Sequence, residues 1–245
     1  GKGWRTVNIF SENVKLFGTN RDIIISNDLQ PEVALNYGFN LLHAIYLGNI
    51  ELQFIFDAYK TNFSNQIHPH YHTESNLIYI HNLTENSKSN SFQSEFAIEL
   101  YEKIGAKIAY NYLDVFRIEH GHKHRLPFTA KHHILSTISY KPLSKGWHFD
   151  CNIHWFGKKK LIDTSENPAP YNRPKWSNPY STVNLQFTKK IKRLDLYIGA
   201  ENLLNFKQEN PIISWEEPFG EYFNIANVWG PTKGREMYLG LRYSL

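Results

Sequence analysis

The stretch WGPTKGREMYLGLRYSL, Trp229 to Leu245, decides how the rest of the chain is read. From Met237 onward, Met237, Leu239, Leu241, Tyr243 and Leu245 fall on every second position, against Tyr238, Gly240, Arg242 and Ser244. A period of two is the mark of a strand with one apolar face and one mostly polar face. A half-buried sheet in a water-soluble domain uses such strands. So does a sheet whose apolar face meets lipid, and the remaining strands have to choose between them.

Working outward, the same alternation recurs along the whole chain. Val33, Leu35, Tyr37, Phe39 and Leu41 oppose Glu32, Ala34, Asn36, Gly38 and Asn40. After a turn at Leu47–Asn49, Ile50, Leu52, Phe54, Phe56 and Ala58 oppose Glu51, Gln53, Asp57 and Tyr59. Further strands are expected from Phe92 to Tyr101, through Ile108–Tyr112, from Lys131 to Pro142, over Trp147–Gly157, Tyr180–Thr188 and Leu194–Ala200. The clearest is Trp147–Gly157, where Trp147, Phe149, Cys151, Ile153 and Trp155 alternate with His148, Asp150, Asn152 and His154. With the terminal strand this makes about nine, each long enough for a tilted membrane crossing of about ten residues.

The connections alternate too. Turns at Leu47–Asn49, Lys103–Gly105, Pro142–Gly146 and Lys189–Lys192 are short, whereas Thr61–Ser91, Arg117–Thr129, Lys158–Pro179 and Leu203–Gly234 are long. Consecutive antiparallel strands put successive connections at opposite ends, so every short turn shares one end and every long loop the other. That asymmetry belongs to outer-membrane barrels, with short periplasmic turns and long external loops. Trp147 and Trp155, near the two ends of one apolar stripe, suit interfacial aromatic girdles. A soluble β-sandwich accounts for the alternation equally well but not for the end asymmetry.

Composition narrows the function classes. No apolar run approaches the length of a helical span. The charge is +4 and the only dense basic run is Lys158–Lys160, too short to argue for nucleic acid. A single cysteine, Cys151, excludes an internal disulfide framework and a cysteine-based zinc site. No Ser-His-Asp elbow, phosphate loop or catalytic carboxylate pair is recognisable, so an enzyme is not expected. The Gly-Lys-Gly-Trp start carries no signal-peptide pattern and is expected to belong to a processed or truncated piece.

Taken together, GWRTVNIFSEN (Gly3–Asn13), LQPEVALNYGFNL (Leu29–Leu41), FDAYKTNFSNQI (Phe56–Ile67), SNSFQSEF (Ser89–Phe96), IAYNYLDV (Ile108–Val115), LPFTAKHH (Leu126–His133), WHFDCNIHWFGKKKL (Trp147–Leu161), LYIGAENLLNFKQENPII (Leu196–Ile213) and the closing stretch resemble the C-terminal part of a TonB-dependent outer-membrane receptor of the type found in Bacteroidetes-like bacteria. The resemblance implies an antiparallel transmembrane β-barrel of about 22 strands, of which residues 1–245 supply about nine as one unit, with neither the globular plug domain nor the TonB box. It also implies outer-membrane lipid, the plug, the remaining strands, the TonB complex and the barrel-assembly machinery as partners. The whole receptor would import a scarce solute such as a ferric siderophore, cobalamin or another metal complex. A non-transporting structural or adhesive barrel and a soluble binding module stand as the alternatives. Leu245 departs from the terminal aromatic that such receptors offer the assembly machinery, with Tyr243 the nearest aromatic.

Two histidine clusters stand out in the expected external loops: His68, His70 and His72, and His120, His122 and His124. Imidazoles at i and i+2 of an extended segment point to one side, so each cluster offers nitrogens to Zn, Cu, Ni or haem iron. A solvated, histidine-rich loop is the competing reading. His148, Asp150 and His154 are expected to face the lumen, and Cys151 to face lipid as a small apolar group. Arg235 and Arg242 are expected at the lumen or its rim, within reach of Glu51, Glu95, Glu99, Asp195 or Glu201. No resident cofactor is expected.

Overall fold

A computed structural model describes residues 1–71, 77–119, 121–142 and 146–244. Among them the strands run, in chain order, β1 (Lys2–Arg5), β2 (Asp22–Ile25), β3 (Glu32–Leu47), β4 (Ile50–Ser64), β5 (Ile67–Tyr71), β6 (Leu77–Asn82), β7 (Ser87–Leu100), β8 (Ile104–Glu119), β9 (His122–Arg125), β10 (His132–Tyr140), β11 (Trp147–Phe156), β12 (Tyr180–Ile191), β13 (Leu194–Glu201) and β14 (Glu236–Tyr243). One antiparallel sheet follows the path β1-β3-β4-β7-β8-β10-β11-β12-β13-β14, with β9 added to β8. Its nine long members are the nine expected strands. Among the described residues its two outermost strands do not pair with each other, so the sheet is an open segment of a barrel wall.

Register decides which way each side chain points, because successive residues face opposite sides. Leu41 pairs with Phe56, Phe54 with Phe96, Phe96 with Ile108 and Ile138 with Ala106. Across the other half, Phe149 pairs with Phe187, Phe187 with Ile198 and Ile198 with Leu239. This face stays apolar from edge to edge, and it is open: Leu239 is 81% and Met237 74% exposed. So large an uncovered apolar face is untenable in water and is what a lipid-facing wall presents. Cys151 lies on it, opposite Leu185. The opposite face carries His148, Asp150, Asn152 and His154 against Thr188, Gln186, Asn184 and Thr182.

The short turns sit at one end as expected, at slightly shifted residues. Gly48 takes φ +60° in the Gly48–Asn49 turn, a left-handed value natural to glycine. The next turn is Tyr101–Lys103 rather than Lys103–Gly105, with Tyr101 and Glu102 at φ 52° and 56°. Another is Lys192–Arg193 rather than Lys189–Lys192. Leu143, Ser144 and Lys145 of the remaining turn lie outside the described residues, as does Leu245.

The wall strands outrun the alternating stretches. β3 and β8 each have 16 residues, about 50 Å at roughly 3.3 Å per residue, well beyond a bilayer crossing of about ten residues. β4 and β7 gain theirs at the long-loop end, β3 gains residues 42–47 at the short-turn end, and β8 gains residues at both ends. At the long-loop end of β4, Lys60, Thr61, Asn62 and Ser64 put polar residues on both faces. Water on both sides removes the apolar stripe, and with it the sequence signal.

On the inner face of the last hairpin, Tyr197 lies directly across from Gly240, and Gly199 from Tyr238. Each ring covers the opposing glycine: a Cβ on Gly240 would stand 2.3 Å from Tyr197 Cζ, and one on Gly199 2.3 Å from Tyr238 Cζ. Tyr238 then donates its hydroxyl hydrogen to Gln186 Oε1 at 2.9 Å. Aromatic cover over cross-strand glycines pins the register of such a pair.

Gly1–Leu29, which reads as a long loop with local structure, and Thr61–Ser91, a polar connection with a short strand-like piece at Leu77–Ile80, are folded together. β2, from the first 29 residues, pairs in parallel with β6, and β6 pairs antiparallel with β5, giving a separate three-stranded sheet in the order β2-β6-β5. Ile78 and Ile80 on β6 are fully buried, packed with Leu16 and Ile9 from a short helix (α1, Ile9–Glu12) and the turn that follows. Fully burying an isoleucine contributes about 1.5–3 kcal/mol, enough to hold a small platform above the wall. Glu32 ties platform to wall: its carboxylate accepts hydrogen bonds from the Arg5 guanidinium and, at 2.7 Å, from the Ile67 backbone N–H.

Candidate ligand-binding mouth

The long loops converge at the end opposite the short turns. Asn20 donates to the carbonyls of Pro218 and Gly220 at 3.0 and 2.9 Å, joining the first loop to the last. Gln208, almost buried, donates to the Asn227 carbonyl at 2.9 Å and accepts the Trp229 and Gly230 N–H groups at 2.7 and 3.0 Å. Asn202 holds Phe206 and Lys233 through their carbonyls at 2.7 and 3.2 Å. Side-chain amides, which both donate and accept, replace the ladder bonds that irregular segments lack.

A cavity of about 160 Å³ opens between the platform, the β8–β9 hairpin and residues 160–167. Its wall takes His68 and His70 from β5, Arg21, Arg117, Arg125 and Lys160, with Asp163 and Glu166 facing them. Four permanent cations against two carboxylates leave a positive excess before either imidazole is protonated. Arg125 is partly engaged elsewhere, with Asp114 Oδ1 at 3.4 Å. The Ser165 hydroxyl and backbone N–H, the latter at 3.0 Å, hold the Asp163 carboxyl below its ordinary value against the opposing effect of burial, with help from Lys175 and Lys160. Asp163 is therefore ionised at neutral pH. The arrangement suits a ligand that carries negative charge outward, which Arg and Lys donors can grip.

His68 and His70 point to the same side, as their i, i+2 spacing in an extended strand requires, and both reach the cavity. His122 and His124 lie on β9 opposite Glu119 and Arg117 and do not line it. His72 and His120 lie outside the described residues. Among the described residues no group of three or more His, Cys, Asp or Glu side chains is close enough to hold a metal ion.

Sequence reasoning missed a second feature, on the inner wall below the mouth. His133 and His154 approach at 3.4 Å between ring nitrogens, His133 stacks on Phe156 at 4.4 Å, Phe156 on Tyr180 at 5.0 Å, and Tyr180 on Phe206 at 4.7 Å. Lys159 lies over Phe156 and Tyr180, each at 5.3 Å, and donates to the Trp229 carbonyl at 2.6 Å. The members come from two adjacent strand pairs and a distant loop, so cross-strand register, and not spacing, brings them together. His148 is 3.1 Å from Asp150 on its own strand.

The expected arginine pairings are not what forms. The Arg235 guanidinium donates to the Leu203 carbonyl at 2.8 Å, and Glu95 pairs with Lys107 at 3.5 Å. Arg242 is the register partner of Asp195, yet among the described residues the two make no ion pair. Glu216 and Glu217 are exposed in the last loop.

No family model and no curated protein matches the chain. Solved structures do. The chain is similar to the FrpB iron transporter of Neisseria meningitidis over 99% of its length, with a TM-score of 0.63 and 11% identity. It is similar to the copper transporter OprC over 100%, with a TM-score of 0.67 and 15% identity. The ferric-catecholate import receptor Fiu of E. coli K12 is matched over 88%, with a TM-score of 0.60 and 12% identity. The chain spans 36%, 36% and 28% of these three, about a third of their length. At such identity the likeness establishes fold: the sheet is a β-barrel segment of the kind these transporters and receptors, none of them an enzyme, are built on.

Proposed function

We propose that this chain is the C-terminal part of the barrel of a TonB-dependent receptor in the outer membrane, acting in uptake of a scarce solute such as a ferric siderophore, cobalamin or another metal complex. What carries the reading is the near-complete coverage by iron and copper transporter barrels, with the short turns between successive long strands at one end and folded loops at the other. In the whole receptor a plug domain fills the lumen against the inner wall, and a TonB complex drives release. The barrel-assembly machinery inserts the wall.

The mouth favours a metal already wrapped in an anionic chelator over a bare cation, because Arg21, Arg117, Arg125 and Lys160 repel free cations. Deleting the gene and measuring accumulation of labelled metal complexes in metal-starved cells tests the transport reading. Unchanged accumulation of every complex, or recovery of the protein from the water-soluble fraction, would remove it. The histidines His68, His70, His72, His120, His122 and His124 are proposed as accessory contacts to the metal of the solute, supported by the reach of His68 and His70 into the cavity. Titration with Zn, Cu, Ni and haem, before and after replacing all six by Ala, separates that role from a merely solvated loop.

A further inference from the structure

The outward face of β8 changes character at one height. Ile104, Ala106 and Ile108 are followed by Tyr110 and Tyr112, and then by Asp114 and Phe116. Asp114 is buried, its side chain 7% exposed, and three cations gather on its carboxylate: Lys123 at 2.7 Å, Arg125 at 3.4 Å and Lys131 at 3.6 Å. Lys123 and Arg125 reach it from β9, where they sit opposite Ile118 and Phe116 and so share the outward row. Lys131 precedes His132, which pairs with Tyr112.

Each cation also lies over an aromatic ring. Lys123 is 3.7 Å from the Phe116 centroid, Lys131 4.9 Å from Tyr112, and Arg125 5.5 Å from Trp176. A fourth, Lys158, lies 5.1 Å from the same Trp176. Among the described residues four cations against one carboxylate leave a positive excess, and Asp114, Lys123 and Arg125 sit just above the apolar and aromatic bands of the outward row. Asp114 gathers the ammonium and guanidinium groups yet uses only part of their donors, since a lysine carries three N–H groups and an arginine five.

We propose that this patch seats the phosphate headgroup of acidic lipid in the outer leaflet. The aliphatic stems lie along the rings and the charged heads meet phosphate at the polar interface, as snorkelling side chains do. The inference rests on the outer-membrane reading but not on transport. Its three lysines are separate from the mouth, since Lys123, Lys131 and Lys158 do not line the cavity, whereas Arg125 borders both.

The test uses the full-length protein in nanodiscs of phosphatidylcholine with and without phosphatidic acid, with retained lipids counted by native mass spectrometry. Phosphatidic acid should be retained in preference to phosphatidylcholine. The Lys123→Gln/Lys131→Gln/Lys158→Gln variant should weaken that retention roughly a hundredfold, at about fivefold for each lysine near an anionic surface. Lys158→Gln alone, remote from Asp114, should weaken it about fivefold and serves if the triple variant fails to fold. Absence of any preference, or a preference that survives these substitutions in folded protein, overturns the proposal. So does displacement by millimolar inorganic phosphate, which would make the patch a general oxyanion site. Failure of the protein to enter nanodiscs would strike at the membrane reading itself and is scored separately by the heat-dependent gel shift of a folded barrel.

Discussion

Replacing Gly240 by Ala probes the closing hairpin where its packing is tightest. The new Cβ would stand 2.3 Å from both Cζ and Oη of Tyr197 and 2.6 Å from Cε2, well inside any tolerated contact. Tyr197 has to swing off the strand, and overpacking of this kind costs about 1–3 kcal/mol. Against it stands the lower chain entropy of alanine, which favours the substitution by about 0.5–1 kcal/mol. The clash outweighs it, leaving a net loss of up to about 2.5 kcal/mol. The assay is urea titration of the protein in detergent micelles, following the fraction that keeps its folded gel mobility. In a Tyr197→Leu background the same substitution should be close to neutral, since the ring it meets is gone. Gly3→Ala is the control: a Cβ there meets nothing within 4 Å. A Gly240→Ala midpoint at or above that of the parent would refute the argument. An undiminished loss in the Tyr197→Leu background would refute it equally, by placing the cost elsewhere.

Three further outcomes follow from the mouth and its platform. Ile80→Ala, at a fully buried position, should cost the platform about 2–5 kcal/mol; limited proteolysis should then cut within residues 1–30 and 65–82 while the folded gel mobility of the wall persists. Arg117→Gln with Lys160→Gln should weaken binding of anionic ferric complexes, measured by fluorescence titration, and leave neutral complexes unaffected; equal loss for both would contradict a charge-selective mouth. Because the Asp163 carboxyl is depressed below its unfolded value, its support for residues 160–167 is complete above the ordinary carboxylate range and fades as pH falls through the lowered value. Hydrogen-exchange protection in that segment, corrected for the intrinsic pH dependence of exchange, should fall on acidification, and Asp163→Asn should show the lower protection already at neutral pH.

The wall was legible because lipid on one side and water on the other impose a period of two on every strand between the girdles. β3 runs on through Leu42–Leu47, where apolar residues on both faces blur the period. Where water bathes both sides the period disappears, which is why β4, β7 and β8 extend past the stretches that announced them. β9 lay hidden for the same reason, its His122-Lys-His124-Arg sequence polar on both faces. The platform was illegible for a different reason. Ile23–Ile25 and Leu77–Ile80 look like short apolar runs, and a parallel pairing across so many intervening residues leaves no local mark in either. The cavity suffers similarly: Arg21, His68, Arg117 and Lys160 come from four segments that only the folded loops bring together. For the histidines, spacing told correctly that His68 and His70 share a side, but their setting among arginines is a property of the fold.

The β2–β6 pairing also sets an order of assembly. Every pairing in the wall other than those of β1 and β9 joins long strands that follow one another along the chain, so each hairpin can add to the last. β2 and β6, by contrast, join residues 22–25 to residues 77–80 across the whole β3–β4 hairpin. Closing so long a loop is entropically slow until β3 and β4 have brought its ends together. Asn82 then bonds to both Gln30 and Asn65, the residues flanking that hairpin. The loop end of the sheet therefore matures only after the wall beneath it; under the function proposed above, a newly inserted receptor would pass through a stage with its wall in place and its solute mouth not yet built.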